Sequence, residues 1–510
     1  MTVPAIASLL KMAAMRGVSR RQFVTTTAAL ATGSLLFGCS GSNGSSSSSS
    51  GGGSTSLPSQ PIPAGPITDA TVSIASAQTG NIPQRFIGLS YEKDKLSEPM
   101  FSASNTDLIG LFQRLGPGLL RIGGNSVDET VWTANGPGQT SGQVAPSDVN
   151  ALAAFLSAVG WPVLYGVNLG GAGLNPPTTT PALAAAEVAY AVQAFGSNLF
   201  GIEIGNEPDL YAGKYFPSTW SLSDYLTLWQ SFVSAILAQT PNAPLTGPVV
   251  AYNTSWFSSF AQAEGESVVL LSAHYYRGDG QSASSTIQEL ISYPDTNLEA
   301  YLAALQPAAA SAGVPFRLAE TNSFYNGGAP NISDAYASAL WVIDDLFTIA
   351  LGGGVGANFH GGGDGTGYTP IADDNGVVQE ARPEFYGILF QALAGQGSLL
   401  ATTITAGSLN VSAYTVQNSP TQLSVIILNK DSTQNLQFTV TCPSAVQSAS
   451  MQVLTGPSLS AISGVTIQGA GVNPDGSFSP QLSYGVTVSG DTFTGYVPVT
   501  SAVLVKVTLT

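Results

Sequence analysis

At 510 residues, with 57 glycines and only 9% charged side chains, the chain is too long for one ordinary domain and too poor in charge for a coiled coil or a disordered protein. Its 15 basic against 31 acidic side chains, with no basic run among them, exclude nucleic acid and highly sulfated polyanions as natural partners. The two cysteines, Cys39 and Cys442, provide no disulfide framework.

The chain opens on a targeting pattern. Ser19-Arg20-Arg21-Gln22-Phe23-Val24 is a twin-arginine motif, the stretch Ala28 to Phe37 is apolar, and Leu36-Phe37-Gly38-Cys39 reads as a lipoprotein cleavage box. Residues 1–38 are therefore expected to be a signal peptide, with Cys39 as the lipidated first residue of the mature protein. The plain alternative is an ordinary signal peptide in which Cys39 is incidental. Export by the twin-arginine route to the periplasm or cell surface, or secretion, follows, with membrane contact only through the lipid. Removing the leader takes away Lys11, Arg16, Arg20 and Arg21 and no acid, so the imbalance deepens. Residues 39–66 form a Ser/Gly-rich linker that cannot bury a core. Residues 67–82, centred on the strand-like Ala70–Ala75, are expected to join the C-terminal β-domain.

From residue 83 to 395, short apolar strands alternate with helical patterns. Strands are expected at Phe86–Tyr91, Leu119–Gly123, Val163–Asn168, Phe200–Gly205, Leu245–Val250, Val268–Tyr275, Phe316–Glu320 and Ala357–His360. Helical patterns fall at Asp148–Val159, Pro181–Phe195, Leu222–Gln239, Leu298–Ala312 and Ala335–Ala350. This alternation predicts an α/β fold, a (β/α)8 TIM barrel. A doubly wound open sheet would want a Gly-rich phosphate loop after the first strand, and none is present. Residues 396–510 change character: Val, Thr, Ser and Leu alternate between turn signals such as Asn418-Ser419-Pro420 and Pro474-Asp475-Gly476, as in an antiparallel β-sandwich.

In such barrels the site lies at the C-terminal strand ends. Those ends carry Glu92, Arg121 and Asn125, Asn206 and Glu207, Tyr252, His274, Tyr275 and Tyr276, Glu320 and His360. Two strand-end carboxylates, Glu207 and Glu320, are what a retaining glycosidase needs: one held protonated as acid/base, one ionised as nucleophile, roughly 5 Å apart. Strict alternation would put Asn206 and Glu207 on opposite faces, so a bulge or a strand end is required there, and Pro208 favours an extended Glu207. Glu203 is expected to be buried and hydrogen-bonded, and Asp209 to sit in a turn. His274 and His360 read as core or supporting residues. Two histidines without a matching Asp or Cys set are not a ligand pattern, so neither metal nor organic cofactor is expected. Tyr252, Tyr275, Tyr325 and Tyr368 fall on rim loops, where a phenol can bond a sugar hydroxyl or carboxylate without bringing charge.

Ile204-Gly205-Asn206-Glu207-Pro208 with Ala319-Glu320-Thr321 resembles the clan A glycoside hydrolases. Leu120-Arg121-Ile122-Gly123-Gly124-Asn125, Ala273-His274-Tyr275-Tyr276 and Glu320-Thr321-Asn322-Ser323-Phe324-Tyr325-Asn326-Gly327-Gly328-Ala329-Pro330 resemble glycoside hydrolase family 79, the heparanase-related enzymes, most of all its bacterial exo-acting β-glucuronidases. The resemblance implies Glu207 as acid/base and Glu320 as nucleophile. It places Glu92, Asn125, Asn206, Tyr252, Tyr275 and Tyr276 around the sugar, and Tyr325, Gly327, Gly328 and Tyr368 around a uronate carboxylate. Lys93, Lys95 and Arg277 are the nearest cations. The animal heparanase pattern has a Lys close behind the second-strand Gly-Gly, where this chain reads Asn125-Ser126-Val127-Asp128, so terminal unsulfated glucuronic acid, plain or 4-O-methylated, is favoured over internal cleavage. The expected protein is thus a monomeric retaining exo-β-glucuronidase with a carbohydrate as its only partner. The alternatives are an α-L-arabinofuranosidase or β-xylosidase of the same clan, or a non-catalytic carbohydrate-binding protein.

Overall fold

The computed structural model describes residues 57–363 and 367–510. The expected signal peptide, Cys39 and most of the expected linker lie outside the described residues.

Strand β1 (Ile67–Ile82) precedes the barrel; β2 (Ile87–Glu92) and β3 (Leu119–Gly123) begin it. After a small pair, β4 (Val131–Trp132) and β5 (Gln143–Val144), it continues as β6 (Val163–Val167), β7 (Leu199–Ile204), β8 (Leu245–Val250), β9 (Leu270–Asp279), β10 (Phe316–Tyr325) and β11 (Ala357–Gly361). The barrel strands close in the order β10-β11-β2-β3-β6-β7-β8-β9. Each pairs in parallel with its neighbours, as a (β/α)8 barrel requires. The apolar runs explain why: β3 and β6 are buried at every residue, which suits strands covered by helices outside and side chains within. Residues two apart along a strand face the interior. One interior layer is apolar, with Leu119, Leu164, Leu270 and Ala319 in mutual contact. The layer toward the strands' C-terminal ends is polar.

The helices begin where their sequences say they should. Pro146, Pro181 and Pro383 each open a helix, and Ser221 and Asp224 form a reciprocal capping box at Leu222–Gln239. Helices Thr106–Arg114, Thr254–Glu264 and Pro383–Ala394 complete the barrel's outer layer beyond those the periodicity revealed.

A hairpin, β12 (Ile371–Asp374) and β13 (Val377–Ala381), follows β11. Strands β14 (Gly397–Thr405), β15 (Val411–Ser419), β16 (Gln422–Asn429), β17 (Asn435–Thr441) and β18 (Val446–Thr455) lead the C-terminal domain. The short β19 (Thr466–Ile467), β20 (Tyr484–Gly485) and β21 (Thr487–Ser489) precede β22 (Thr492–Val497) and β23 (Ser501–Leu509). Together with β1 these form one 11-stranded curled sheet, ordered β19-β18-β23-β16-β15-β14-β1-β17-β22-β21, with β20 on β18. It has its own core around Val72, Phe438, Phe493 and Val505. One pairing departs from the antiparallel expectation: β1 runs antiparallel to β14 and parallel to β17, because it enters the sheet from before the barrel and not through a hairpin.

Two strands are longer than their sequence patterns suggest. β10 was expected to end at Glu320, but it continues to Tyr325 beside an equally extended β9, pairing Asn322 with Tyr276 and Tyr325 with Asp279. A register shift between Leu318 and Glu320 interrupts the ladder just at Glu320.

Candidate active site

The C-terminal strand ends surround a cleft of about 700 Å³. Glu207 and Glu320 both line it, with Glu92, Asn125, Tyr252, Tyr275, Tyr276, Tyr325 and Tyr368. Asn206, Gly327 and Gly328 do not line it. Asn206 is buried beneath, and Asn326 takes the wall position beside the glycines. At Gly328, which has φ +91°, an added Cβ would lie 2.9 Å from the Tyr368 amide nitrogen, so this glycine lets the Tyr368 segment pack close.

Glu207 is reached by a turned backbone. β7 stops at Ile204, Gly205 takes φ +84°, and Glu207 itself takes φ +52°, ψ +54°. The extended conformation expected before Pro208 is therefore not adopted. The Glu207 amide donates to the Val249 carbonyl at 2.9 Å, and Pro208 starts a one-turn 3-10 helix, which together fix the left-handed geometry. This early strand end is what allows Asn206 and Glu207 both to serve the site. At Gly205 any Cβ would meet the Tyr211 hydroxyl at 2.5 Å. Asp128 supports the turn from below, accepting from the Tyr211 hydroxyl at 2.6 Å and from the amides of Asn206, Leu169 and Gly170. Asp209, placed in a turn as expected, accepts from the amides of Ala251 and Tyr252.

Arg121 organises the layer below. The sequence put it at the rim; it lies one layer deeper, fully buried inside the barrel. Its guanidinium donates to Glu203 Oε2 at 2.6 Å, Glu320 Oε2 at 2.7 Å, Asn206 Oδ1 at 2.8 Å and Ser90 Oγ at 3.1 Å. The planar fork spans these acceptors at once, which a lysine could not do. Glu203 is buried and hydrogen-bonded, as its position suggested.

Glu320 receives one donor on each oxygen: Arg121 on Oε2, and the Tyr276 hydroxyl on Oε1 at 2.7 Å. Burial works to raise its pKa, but His360, His274, Arg121 and the Tyr276 phenol together hold it far below the usual carboxylate range. Burial and the adjacent Glu320 charge push the Tyr276 phenol well up, so it remains a donor.

Both histidines belong to this network. His274 Nδ1 lies 2.9 Å from Glu207 Oε1, and its Nε2 is buried without a partner. With a proton on Nδ1, His274 donates to Glu207. His360 Nδ1 bonds Ser90 Oγ at 3.0 Å, while Nε2 lies 3.3 Å from Glu92 Oε1. Burial opposes charging of His360, but the neighbouring Glu320 and Glu92 raise its pKa. Glu92 is lowered against burial by His360 and Ser126. Its carboxylate also accepts from the Asn125 amide and from the amide and hydroxyl of Ser126. Gly124, at φ +73°, is required by this clasp, since a Cβ there would sit 2.4 Å from the Glu92 carboxylate.

One oxygen of Glu207, one oxygen of Glu320 and a ring nitrogen of His274 lie within 4.8 Å of one another. These three are also, among the described residues, a donor set that a cation could use. The three cations that the sequence placed nearest the rim are already engaged. Lys93 is buried against Glu187 and the Gly166 carbonyl, Lys95 pairs with Glu98, and Arg277, though lining the cleft, donates to Asp295 at 2.9 Å. Tyr275 donates to the same Asp295 oxygen at 3.0 Å, so its hydroxyl is turned to structural use.

Sequence reasoning placed Arg121, His274 and His360 at the strand ends without giving them a part in the chemistry, and missed Asp128 and Tyr211. A signal existed for the histidines: the chain has only two, both at strand ends.

No protein-family model matches the chain. It is 24% identical over 328 residues to a β-glucuronidase of Neurospora crassa, covering 57% of each chain. It is 27% identical over 287 residues to a β-glucuronidase of Aspergillus niger, covering 49% of this chain and 52% of the relative. The chain thus spans just over half the length of these relatives. Among solved structures, a 4-O-α-L-rhamnosyl-β-D-glucuronidase from Fusarium oxysporum superimposes with a TM-score of 0.71 at 20% identity, over 86% of this chain and 100% of the other. A family 51 α-L-arabinofuranosidase from Bifidobacterium longum gives a TM-score of 0.63 at 16% identity, over 86% and 99%. These likenesses establish the barrel-plus-β-domain fold.

Proposed function

We propose that the chain is a retaining exo-β-glucuronidase that releases terminal β-linked glucuronic acid, plain or 4-O-methylated, from glycans. The observation that carries this reading is that one oxygen of Glu207 lies within 4.8 Å of one oxygen of Glu320. Carboxylates about 5–5.5 Å apart serve double displacement, whereas inverting enzymes keep them about 6.5–9.5 Å apart to admit a water. The asymmetry of the pair fits the division of labour: Glu320 is held ionised by its cationic neighbours, and Glu207 is not in contact with Arg121.

In the proposed reaction Glu320 attacks the anomeric carbon as the glycosidic C–O bond breaks. Glu207 delivers its proton to the departing oxygen. Because Oε1 accepts from His274, the transferable proton sits on Oε2. Water, deprotonated by Glu207, then displaces Glu320 and restores both carboxyl groups with net retention. Arg121 holds the Asn206 amide by its oxygen, leaving the NH₂ for the sugar 2-hydroxyl. The uronate carboxylate is assigned to the wall of Tyr325, Asn326 and Tyr368, where neutral donors can bind an anion without a free cation. The β-glucuronidase names of two relatives support the uronide over a neutral sugar.

The test is a panel of 4-nitrophenyl glycosides. Hydrolysis of the β-glucuronide with a β-configured first product is expected. Activity on the α-L-arabinofuranoside or β-xyloside but not the glucuronide would overturn the substrate, and binding without turnover anywhere would overturn the enzyme. E320Q should abolish turnover, while E207A should retain slow hydrolysis of substrates with good leaving groups.

A further inference from the structure

Two of the described chain's most exposed large hydrophobic side chains stand at the mouth of this cleft, on the side of the acid. Leu210 is 58% exposed and Tyr252 57% exposed, and both line the cleft together with Ala251. Leu210 closes the 3-10 turn that starts immediately after Glu207, and Tyr252 follows β8, next to β7 in the barrel. The two loops are tied together, because Asp209 accepts the amides of both Ala251 and Tyr252.

Tyr252 is not a loose surface ring. It lies flat on Tyr301, with centroids 5.0 Å apart and planes 5° apart, and Tyr301 in turn stacks on Tyr275 at 5.7 Å. Tyr301 and Tyr275 are both buried, and Tyr275 also lies 6.4 Å from Tyr252, so Tyr252 is the exposed member of a packed cluster of three rings. Its free face is therefore pre-organised for something flat. A single exposed apolar residue needs no explanation; a rigid aromatic and a leucine together at the edge of a polar cleft do.

Chemistry gives the occupant. The acid must reach the departing oxygen, so the group attached to that oxygen lies on the Glu207 side of the cleft. The opposite wall, from β10 and β11, holds Tyr325, Tyr368 and His360. We infer that Leu210 and Tyr252 form the subsite for the leaving group, and that it takes a group presenting a flat apolar face: an aryl ring or the C–H face of a pyranose. Anionic leaving groups are disfavoured there, since Arg277, the arginine that lines the cleft, is committed to Asp295. This moves Tyr252 outward from the sugar position that the family resemblance gives it. The inference rests on Glu207 being the acid.

The test compares 4-nitrophenyl β-D-glucuronide with β-D-glucuronyl fluoride, whose leaving atom is too small to touch the wall. The quantity read is the ratio of the two kcat/KM values, which reports the step that expels the leaving group. Y252A should lower the ratio about tenfold, the size of a lost stacking contact. L210S should lower it about threefold or more, from lost apolar area, and Y252F should keep it near the wild-type value. If Y252A folds poorly, L210S and Y252F still decide. An unchanged ratio in both Y252A and L210S overturns the inference. An equal loss on both substrates also overturns it, because it would put Tyr252 against the sugar. Should the wild type cleave neither glucuronide but another glycoside series, the proposed function fails, and the same ratio measured in that series still tests the wall.

Discussion

Replacing Arg121 by Met removes a buried cation of similar length and leaves its partners in place. Glu203 then has no donor on either oxygen among the described residues, since Oε1 is already unpartnered and Oε2 is bonded only to Arg121. Glu320 still has Tyr276 and the two histidines. A buried carboxylate stripped of its cation takes up a proton instead of remaining charged. For an ordinary Glu of pKa about 4.3, that uptake costs about 1.4 kcal/mol per pH unit above that value, hence about 3.7 kcal/mol at pH 7 and about 1 kcal/mol at pH 5. The sign is set by proton count: the folded variant binds one proton more than its unfolded chain, so its stability falls as pH rises. R121M should therefore be about 4 kcal/mol less stable than wild type at pH 7, with most of the gap closed at pH 5. R121M/E203Q, which carries no carboxylate to protonate, should regain much of the loss and most of the pH dependence should vanish. Denaturant unfolding of the three proteins at both pH values measures this. A gap at pH 7 below about 1 kcal/mol, or one that does not narrow in acid, would refute the account of Arg121 as the charge that Glu203 requires.

Y276F deletes the hydrogen bond to Glu320 Oε1, a bond to a charged acceptor, and should cost about 10- to 100-fold in kcat/KM, mostly in kcat. A loss confined to KM would show Tyr276 to be a sugar contact instead. His360, whose pKa is raised in the fold by Glu320 and Glu92 against burial, stabilises fully below its unfolded value of about 6.5 and loses that contribution as pH climbs through the raised value. The stability margin of wild type over H360Q should accordingly be larger near pH 6 than near pH 9, by denaturant midpoints. A margin that is flat or grows with pH contradicts the imidazolium between the two carboxylates.

What the sequence disclosed, and what it withheld, divides along a physical line. Barrel strands were legible because burial on both faces leaves short continuous apolar runs, and the rim was legible because polar residues are rare in this chain. The extension of β10 past Glu320 was not, since Thr321-Asn322-Ser323 reads as a polar loop; its pairing comes from β9, more than forty residues earlier. Arg121 was placed wrongly by one layer for the same reason. Its acceptors Glu203 and Glu320 lie 82 and 199 residues away, and nothing local to Leu120-Arg121-Ile122 distinguishes a rim arginine from one at the centre of a charge network. The carboxylate pair could be read because each member follows a recognisable apolar run. The donors that set their charge could not be read as such, because they come from three other strands, β3, β9 and β11.

The conformation of Glu207 shows how the fold supports this site at a local cost. Pre-proline sterics push a residue away from the right-handed helical region toward extended backbone, and Glu207 adopts neither. Its hydrogen-bond partner Val249 is also left-handed, at φ +61°, which is unusual for a β-branched residue. Two such residues cost on the order of 1–3 kcal/mol each, and the fold must hold them against relaxation. The holding groups are identifiable: Asp128 and Tyr211 grip the Asn206 amide beneath the turn, and Asp209 grips the Ala251 and Tyr252 amides beyond it. In an extended Glu207 the chain would continue the outward line of β7. The left-handed turn instead sets the carboxylate against His274 and within reach of Glu320. Part of the strain thus falls on the Glu207 dihedrals, which bear on the spacing of the two carboxylates, and such a spacing separates retaining from inverting geometry.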